Sequence, residues 1–441
     1  MLIHDCVSWQ KEEIEDKVCL IHGKSSFTYS QMRQKVDFLA RRLAGRIKPG
    51  DRVLLKQADP VLQLLYFFGI LKAGGCCVFI DAATADEVCL KLIKLHHISV
   101  YINEDFRLPD TAADTLPTVQ PTDIFLGALS SGSTGNPKLI WRDHSSWTRA
   151  FPQQSRVFCL CGKDRLFLAG SLIYTANLNA CMHMLSLGGT VVIADSRQPR
   201  TWVRGILKNQ ISGIFMVPAH YRILLKALEQ PLLGIKSLVT CGAKLDPVTV
   251  QQMVERFPQA GIYEYYGASE LGHVSCMTKD DLLYRPDSVG KPFPGVRVWI
   301  EQDVIWAESP YLAPAYRPRA TAGDLGRMDG DGYLYVLGRR NGLINSGGVK
   351  IIPEQVAKVI DQCPGVSRTV VGGIDDPVKG QRVCAWIIKE NPALTTATIL
   401  AFCRTKLRSH YYPQKIVFVS QFPLNASGKI DLPRLRQGFH E

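Results

Sequence analysis

Short apolar runs alternate with longer amphipathic stretches over the first two-thirds of the chain, and this rhythm sets the expected fold. Val53-Leu54-Leu55 and Cys76-Cys77-Val78-Phe79-Ile80 have strand length, while residues 61–70 between them stay apolar over a helical span. Residues 26–46 place apolar side chains at helical spacing after Ser30, a candidate N-cap. A helix at 91–97 and a strand at 99–102 follow. The pattern resumes with strands at 165–170, 190–193, 213–217 and 237–243, separated by helices at 201–209 and 221–228. Buried strands alternating with helices predict a parallel sheet covered by helices, an α/β body.

Near Val289 the texture changes to short strands with Gly and Pro turns, at 296–300, 303–306 and 333–337, which predict a small β-subdomain. Residues 338–348 carry four glycines and little apolar content, the pattern of a boundary. Helices at 354–363 and 396–409 and strands at 366–372, 382–389 and 416–420 then make a compact α+β module. The division expected is a body at 1–339 and a small domain at 340–441, with a hinge near Asn341.

The run from Ile124 to Leu129 reads as a buried strand, and it opens onto Ser130-Ser131-Gly132-Ser133-Thr134-Gly135-Asn136-Pro137-Lys138. Closely spaced glycines among hydroxyls, ended by a lysine, suit a backbone that donates to a polyphosphate. It is not a Walker A loop, in which Lys-Ser/Thr follows the last glycine directly. On composition alone, a solvated Ser/Gly linker is the alternative. Just beyond, Asp143 or Ser145 can cap a helix through Trp147, and His144 reads equally as packing or ligand contact.

Composition narrows the class. With 441 residues, 46% hydrophobic and 21% charged, the chain can bury a large core, as soluble enzymes do. His4, Asp5 and Cys6 stand where a signal peptide needs a basic start and an apolar run, so the expectation is a soluble, cytoplasmic protein without a transmembrane segment. Thirteen scattered cysteines without paired CxxC units predict reduced, mostly buried thiols. The net charge of +12 is spread among acidic residues without basic blocks, which argues against nucleic acid and for a smaller anionic partner. ATP, pyrophosphate, coenzyme A or an acidic carrier protein would each satisfy it.

Five further stretches bear on the chemistry: Tyr265-Tyr266-Gly267-Ala268-Ser269-Glu270, Ala322-Gly323-Asp324, Gly338-Arg339-Arg340-Asn341, Asn345-Ser346-Gly347-Gly348-Val349-Lys350 and Pro423-Leu424-Asn425-Ala426-Ser427-Gly428-Lys429. With the loop, Phe27-Thr28-Tyr29 and Leu71-Lys72-Ala73-Gly74-Gly75, their order and spacing resemble the AMP-forming acyl-activating superfamily of acyl-CoA synthetases, amino-acid adenylation domains and luciferases. The resemblance spans essentially the whole chain. It implies that Ser130, Ser131, Gly132, Ser133, Thr134, Gly135 and Lys138 hold the ATP phosphates and that Glu270 and Thr134 carry Mg²⁺. It implies further that Tyr266, with Glu264, Tyr265, Gly267, Ser269, Gly242 and Ala243, borders the adenine. Asp324 would bind the ribose hydroxyls with Arg339 in support. Lys429, on a mobile C-terminal lid, would stabilise charge during attack, with Glu270 and Thr134 completing the catalytic set. Gly347 and Gly348 would let a pantetheine arm pass.

Some positions depart from the family pattern: Leu139 replaces the glycine after the loop lysine, Asn341 the usual charged hinge residue, Asn345 a lysine, and Glu264 an asparagine. Thr175, in Tyr174-Thr175-Ala176-Asn177, replaces the aspartate that pairs with a substrate ammonium in amino-acid adenylation domains, which disfavours free α-amino acids. Tyr174, Asn177 and His220 are the candidate acid pocket, suited to an aromatic or medium-sized acid, although His220 reads equally as a core histidine. The resemblance thus implies an acid-thiol ligase using coenzyme A or the phosphopantetheine of a carrier protein. An inactive nucleotide or acyl-AMP sensor is the alternative of a different class.

Overall fold

The computed structural model describes residues 1–7, 12–130, 138–423 and 430–437. Contacts divide the chain into two units. One comprises Met1–Val298, Ala307–Ala320 and Asp331–Tyr333, the other Trp299–Trp306, Thr321–Gly330 and Leu334–Glu441.

The first unit is built on two sheets. In the nine-stranded sheet, Gly261–Ala268, Ser237–Cys241, Gly213–Phe215, Arg165–Leu168, Thr190–Ile193 and Val18–His22 lie side by side and parallel. Both edges turn antiparallel, through Gly272–Met277 and Lys291–Pro292 at one side and Ser25–Thr28 at the other. The expected parallel sheet is therefore its middle. The links from Val18–His22 to Ser25–Thr28 and from Gly261–Ala268 to Gly272–Met277 are too short for a crossover helix, so there the chain can only fold back beside itself. The five-stranded sheet runs Val100–Ile102, Arg52–Lys56, Cys76–Ile80, Ile124–Ser130, Lys138–Asp143, with only the last strand antiparallel.

Helix boundaries follow local chemistry. The helix Tyr29–Leu43 starts two residues earlier than the Ser30 expectation, because Thr28 and Gln31 form a reciprocal capping box: Gln31 N donates to Thr28 Oγ1 at 3.2 Å and Thr28 N to Gln31 Oε1 at 3.0 Å. Pro60–Lys72 is apolar almost all round and buried, capped by Asp59, whose side chain accepts from Val61 N. Asp86–Leu95 begins ahead of the expected 91, with Asp86 and Glu87 in the first turn where the helix dipole favours them. Asp143 caps His144–Thr148 as expected, accepting from Ser146 N at 3.0 Å. All thirteen cysteines are free thiols, and only Cys159 and Cys161 are exposed.

In the second unit, Asp324–Met328 pairs antiparallel with Leu334–Arg339. A further sheet joins Val349–Ile351, Ile344–Ser346, Gly380–Lys389 and Val366–Asp376, with Lys415–Phe418 parallel beside Gly380–Lys389. Helices Pro353–Ile360 and Thr396–Lys406 supply Val356, Ile360, Ile399 and Cys403 to its core. The whole is an α/β body with a smaller α+β part, the class expected from the pattern.

Candidate functional site

The strand Ile124–Ser130 enters the loop and Lys138–Asp143 leaves it, and the two are registered so that Ser130 faces Lys138. Ser131, Gly132, Ser133, Thr134 and Gly135 lie outside the described residues, as does Lys429. Lys138 donates to Tyr316 Oη at 3.0 Å. Its pKa is raised chiefly by that bond, with the Glu270 carboxylate adding to the effect, so Lys138 is a cation in the field of Glu270. Leu139, unusual at its place, is a core residue: it pairs with Leu129 and packs with Leu54, Val78, Ile80 and Leu92.

Arg142, on the same exit strand, is fully buried and donates only to carbonyls. It reaches Ser269 O at 3.0 Å and Glu270 O at 3.4 Å through one terminal nitrogen, and Tyr311 O at 2.6 Å and Ser146 O at 3.2 Å through the other. Burial pulls its pKa down to about 9, opposed by Asp143, so it remains a cation at neutral pH. The strand Lys138–Asp143 thereby holds the turn that carries Glu270. The Glu270 carbonyl also accepts from Ala313 N at 2.9 Å. No tight group of three or more metal-ligating side chains exists among the described residues. A lone carboxylate suits Mg²⁺ that arrives with nucleotide phosphates and keeps its waters, and Glu270 could hold such an ion.

The two faces of the strand Gly261–Ala268 do different things. Glu264 and Tyr266 share one face by alternation. Glu264 is buried, with Oε1 accepting from Lys244 Nζ at 2.6 Å and Oε2 from Leu245 N at 2.7 Å. Burial raises its pKa, and Lys244 opposes the shift. Both oxygens are engaged within the chain, so Glu264 fastens the segment after Gly242 and Ala243. Tyr265 faces the other way, packing on His273 at 4.3 Å and on Phe158 at 5.9 Å between ring centroids. Gly267 admits no side chain, since a Cβ there would lie 2.2 Å from Gly272 O. Ser269 follows in the same turn.

In the second unit, Asp324 and Arg339 are register partners, and Arg339 Nε donates to Asp324 Oδ1 at 3.2 Å. Asp324 is itself buried while Arg339 stays exposed. Gly347 and Gly348, with φ of +58° and +84°, form the two-residue turn between Ile344–Ser346 and Val349–Ile351, so the hairpin requires them with or without a ligand. Asn345 N donates to Gln381 Oε1 at 2.9 Å.

The chain has the architecture its motifs imply, and family models decide its membership: the AMP-binding enzyme model matches residues 7–304 and its C-terminal domain model residues 355–429. The chain belongs to the AMP-binding enzymes. It is an AMP-forming ligase of the acyl-CoA synthetase type. It is similar to the uncharacterized acyl-CoA ligase YhfT of Bacillus subtilis, 28% identical over all of this chain and 99% of that one. It is also similar to a feruloyl-CoA synthase of Amycolatopsis, 27% identical over 95% of each chain. In fold it matches the ATP-bound MatB structure from Rhodopseudomonas palustris, with a TM-score of 0.86 at 19% identity, covering 100% and 99% of the two chains. No described helix of this AMP-binding enzyme is long and apolar enough to cross a membrane.

None of the three residues proposed for the acid pocket lines the small cavity at the strand Gly261–Ala268. Asn177 turns its amide back to Ser171 O at 2.8 Å and occupies the space beside Gly170 that a side chain would need. Tyr174 precedes the helix Thr175–Ser186, its hydroxyl pKa raised by burial first and by Asp81. His220 rests against Trp202 at 5.4 Å. The cavity at that strand is lined by Gln154, Asn179, His183, Phe215, Tyr265 and His273, among others. Its sequence signal was faint: Asn179 and His183 stand four apart on a helix that also carries Thr175, Asn177 and Ser186.

His144, His183 and His273 are buried, and burial above all holds each pKa down at about 3. His144 is a packing residue: Ile3 N donates to its Nδ1 at 3.0 Å, and its ring stacks on Phe125 at 5.1 Å. Between pH 6.5 and 3 the unfolded chain takes up protons that the folded chain refuses, so stability is present above that window and is lost as pH falls. Each histidine is expected to remove about 2 kcal/mol at pH 5 relative to pH 7.5. Thermal unfolding at the two values tests this, with His183→Gln flattening the dependence; identical midpoints at pH 7.5 and 5 would contradict it.

Proposed function

We propose that this enzyme activates a carboxylic acid with ATP and passes the acyl group to the pantetheine thiol of coenzyme A. A carboxylate oxygen attacks the α-phosphorus, the bond to the bridging oxygen breaks, and pyrophosphate leaves; the thiol sulfur then attacks the acyl carbon and AMP departs. The Arg142 clamp carries the reading, because one strand brings Lys138 from the phosphate loop and at the same time fixes the backbone of Glu270. Such a reaction asks the protein for positioning and charge neutralisation more than for covalent help. Lys138 and the loop would act on the leaving pyrophosphate, and Glu270 would hold Mg²⁺. Tyr266 would lie against adenine, and Asp324, oriented by Arg339, would take the ribose hydroxyls. Lys429 would act on the α-phosphate from a C-terminal domain hinged near Asn341. Relatives named as acyl-CoA and feruloyl-CoA ligases support the choice of thiol. Thr175, in place of an aspartate, supports an acid without an α-ammonium group.

Carboxylate-dependent exchange of pyrophosphate into ATP across a panel of acids, followed by product analysis, tests this. Exchange and an acyl-CoA product are expected. Thioester only on a holo carrier protein would replace coenzyme A as acceptor, and ATP binding without exchange on any acid would make the chain a nucleotide sensor.

A further inference from the structure

Directly beside the nucleotide strand lies a cavity of about 10 Å³, closed around by Phe158, Leu166, Phe215, Val239 and Tyr265. That is room for about one water or one small polar group. Apolar walls of this kind would normally be dry, yet four buried polar side chains line it: Gln154 at 1% exposure, Asn179 at 8%, His183 at 2% and His273 at 6%. Gln154 Nε2 has no hydrogen-bond partner among the described residues, which leaves an amide donor unsatisfied in the interior.

The donor and acceptor pattern is specific. Ser155 Oγ gives its single proton to Phe151 O at 3.0 Å, so at 2.9 Å from His183 Nε2 it can only accept, and that ring nitrogen carries the hydrogen. With the imidazole kept neutral by burial, Nδ1 is its acceptor. The lining thus offers a free donor from Gln154 and an acceptor from His183, the complement of a group that both accepts and donates. A hydroxyl does both. A carboxylate or ammonium here would lack a counter-charge, because no lining side chain carries one.

The position links the cavity to the reaction. Tyr265 adjoins Tyr266 in the nucleotide motif, and His273 is the register partner of Gly267 across the hairpin that ends at Glu270. We propose that this chamber is the far end of the acid pocket, and that the enzyme's substrate is a carboxylic acid bearing a neutral hydroxyl remote from its carboxylate, read by Gln154, Asn179 and His183. The inference rests on the adenylation reading above. The aromatic walls favour a ring between the two groups, and the small volume admits a hydroxyl while excluding an alkyl extension.

The experiment compares pyrophosphate exchange for matched acids: benzoate against 2-, 3- and 4-hydroxybenzoate, and hexanoate and octanoate against their ω-hydroxy forms. A site built to bond a hydroxyl rejects the analogue lacking it strongly, so one hydroxylated acid is expected to exceed its parent in kcat/KM by at least about 100-fold. In Gln154→Leu, and separately in Asn179→Leu, that ratio is expected to collapse to within about threefold. The ratio is internal to each protein, so a general loss of stability does not move it, and either variant suffices if the other does not fold. Equal use of parent and hydroxylated acids by the wild type would overturn the proposal and leave the chamber a site for a structural water only. A ratio unchanged in both variants would do the same. Absence of exchange with every acid would instead overturn the adenylation reading itself.

Discussion

Lys429→Ala is expected to lower carboxylate-dependent pyrophosphate exchange by about 10²–10³-fold while leaving thioester formation from supplied acyl-AMP near the wild-type rate. The magnitude is that of removing one preorganised charge from a site where negative charge redistributes during attack. The asymmetry follows from the two half-reactions. The first builds charge at the α-phosphorus, where the lysine that follows Ser427-Gly428 would act; the second starts from an acyl-AMP in which that step is complete. Rapid-quench measurement of each half-reaction decides the matter. Equal loss in both would contradict a lysine that serves adenylation alone, and wild-type exchange would remove Lys429 from the catalytic set.

Arg142→Met carries the second large effect. The methionine keeps much of the side-chain volume but leaves the carbonyls of Ser269, Glu270, Ser146 and Tyr311 without their donor in the interior. Breaking a buried, hydrogen-bonded charge typically costs about 3–5 kcal/mol. A fall of several degrees in the unfolding midpoint is expected, and with it a need for more Mg²⁺ to reach half-maximal exchange, because the Glu270 turn loses its tether. Arg142→Lys should not rescue either property, since an ammonium cannot reproduce the guanidinium fork. An unfolding midpoint and a Mg²⁺ dependence both like wild type would show that the clamp is dispensable. A lower midpoint with unchanged Mg²⁺ dependence would confine Arg142 to the core.

These two residues differ in how visible they are in the chain. Lys429 stands in a short motif whose glycine and spacing can be read locally. Arg142 stands 127 residues from Ser269 and 169 from Tyr311, and a lone arginine in Ile140-Trp141-Arg142-Asp143 reads as an ordinary surface cation until the partners are placed. The same contrast separates Glu270, legible from Tyr265-Tyr266-Gly267-Ala268-Ser269-Glu270, from Gln154, which no motif marks. Tyr174, Asn177 and His220 are pocket candidates by position along the chain alone. In the fold, the Asn177 amide is spent on Ser171 and the His220 ring rests on Trp202.

By itself the sequence determined the alternation of buried strands and helices, the strand from Ile124 and the order of the family motifs, while the choice of Asp143 over Ser145 as cap came from the structure. Each of these rests on local periodicity, backbone preference or a short run of side chains. Only the tertiary structure decided that both oxygens of Glu264 are taken by Lys244 and Leu245. It also decided that Tyr265 turns away from Tyr266 toward His273, and that four polar side chains from three elements surround one small cavity. The physical reason is that burial and hydrogen-bond partnership depend on which distant segments pack together, and local pattern carries no record of that choice.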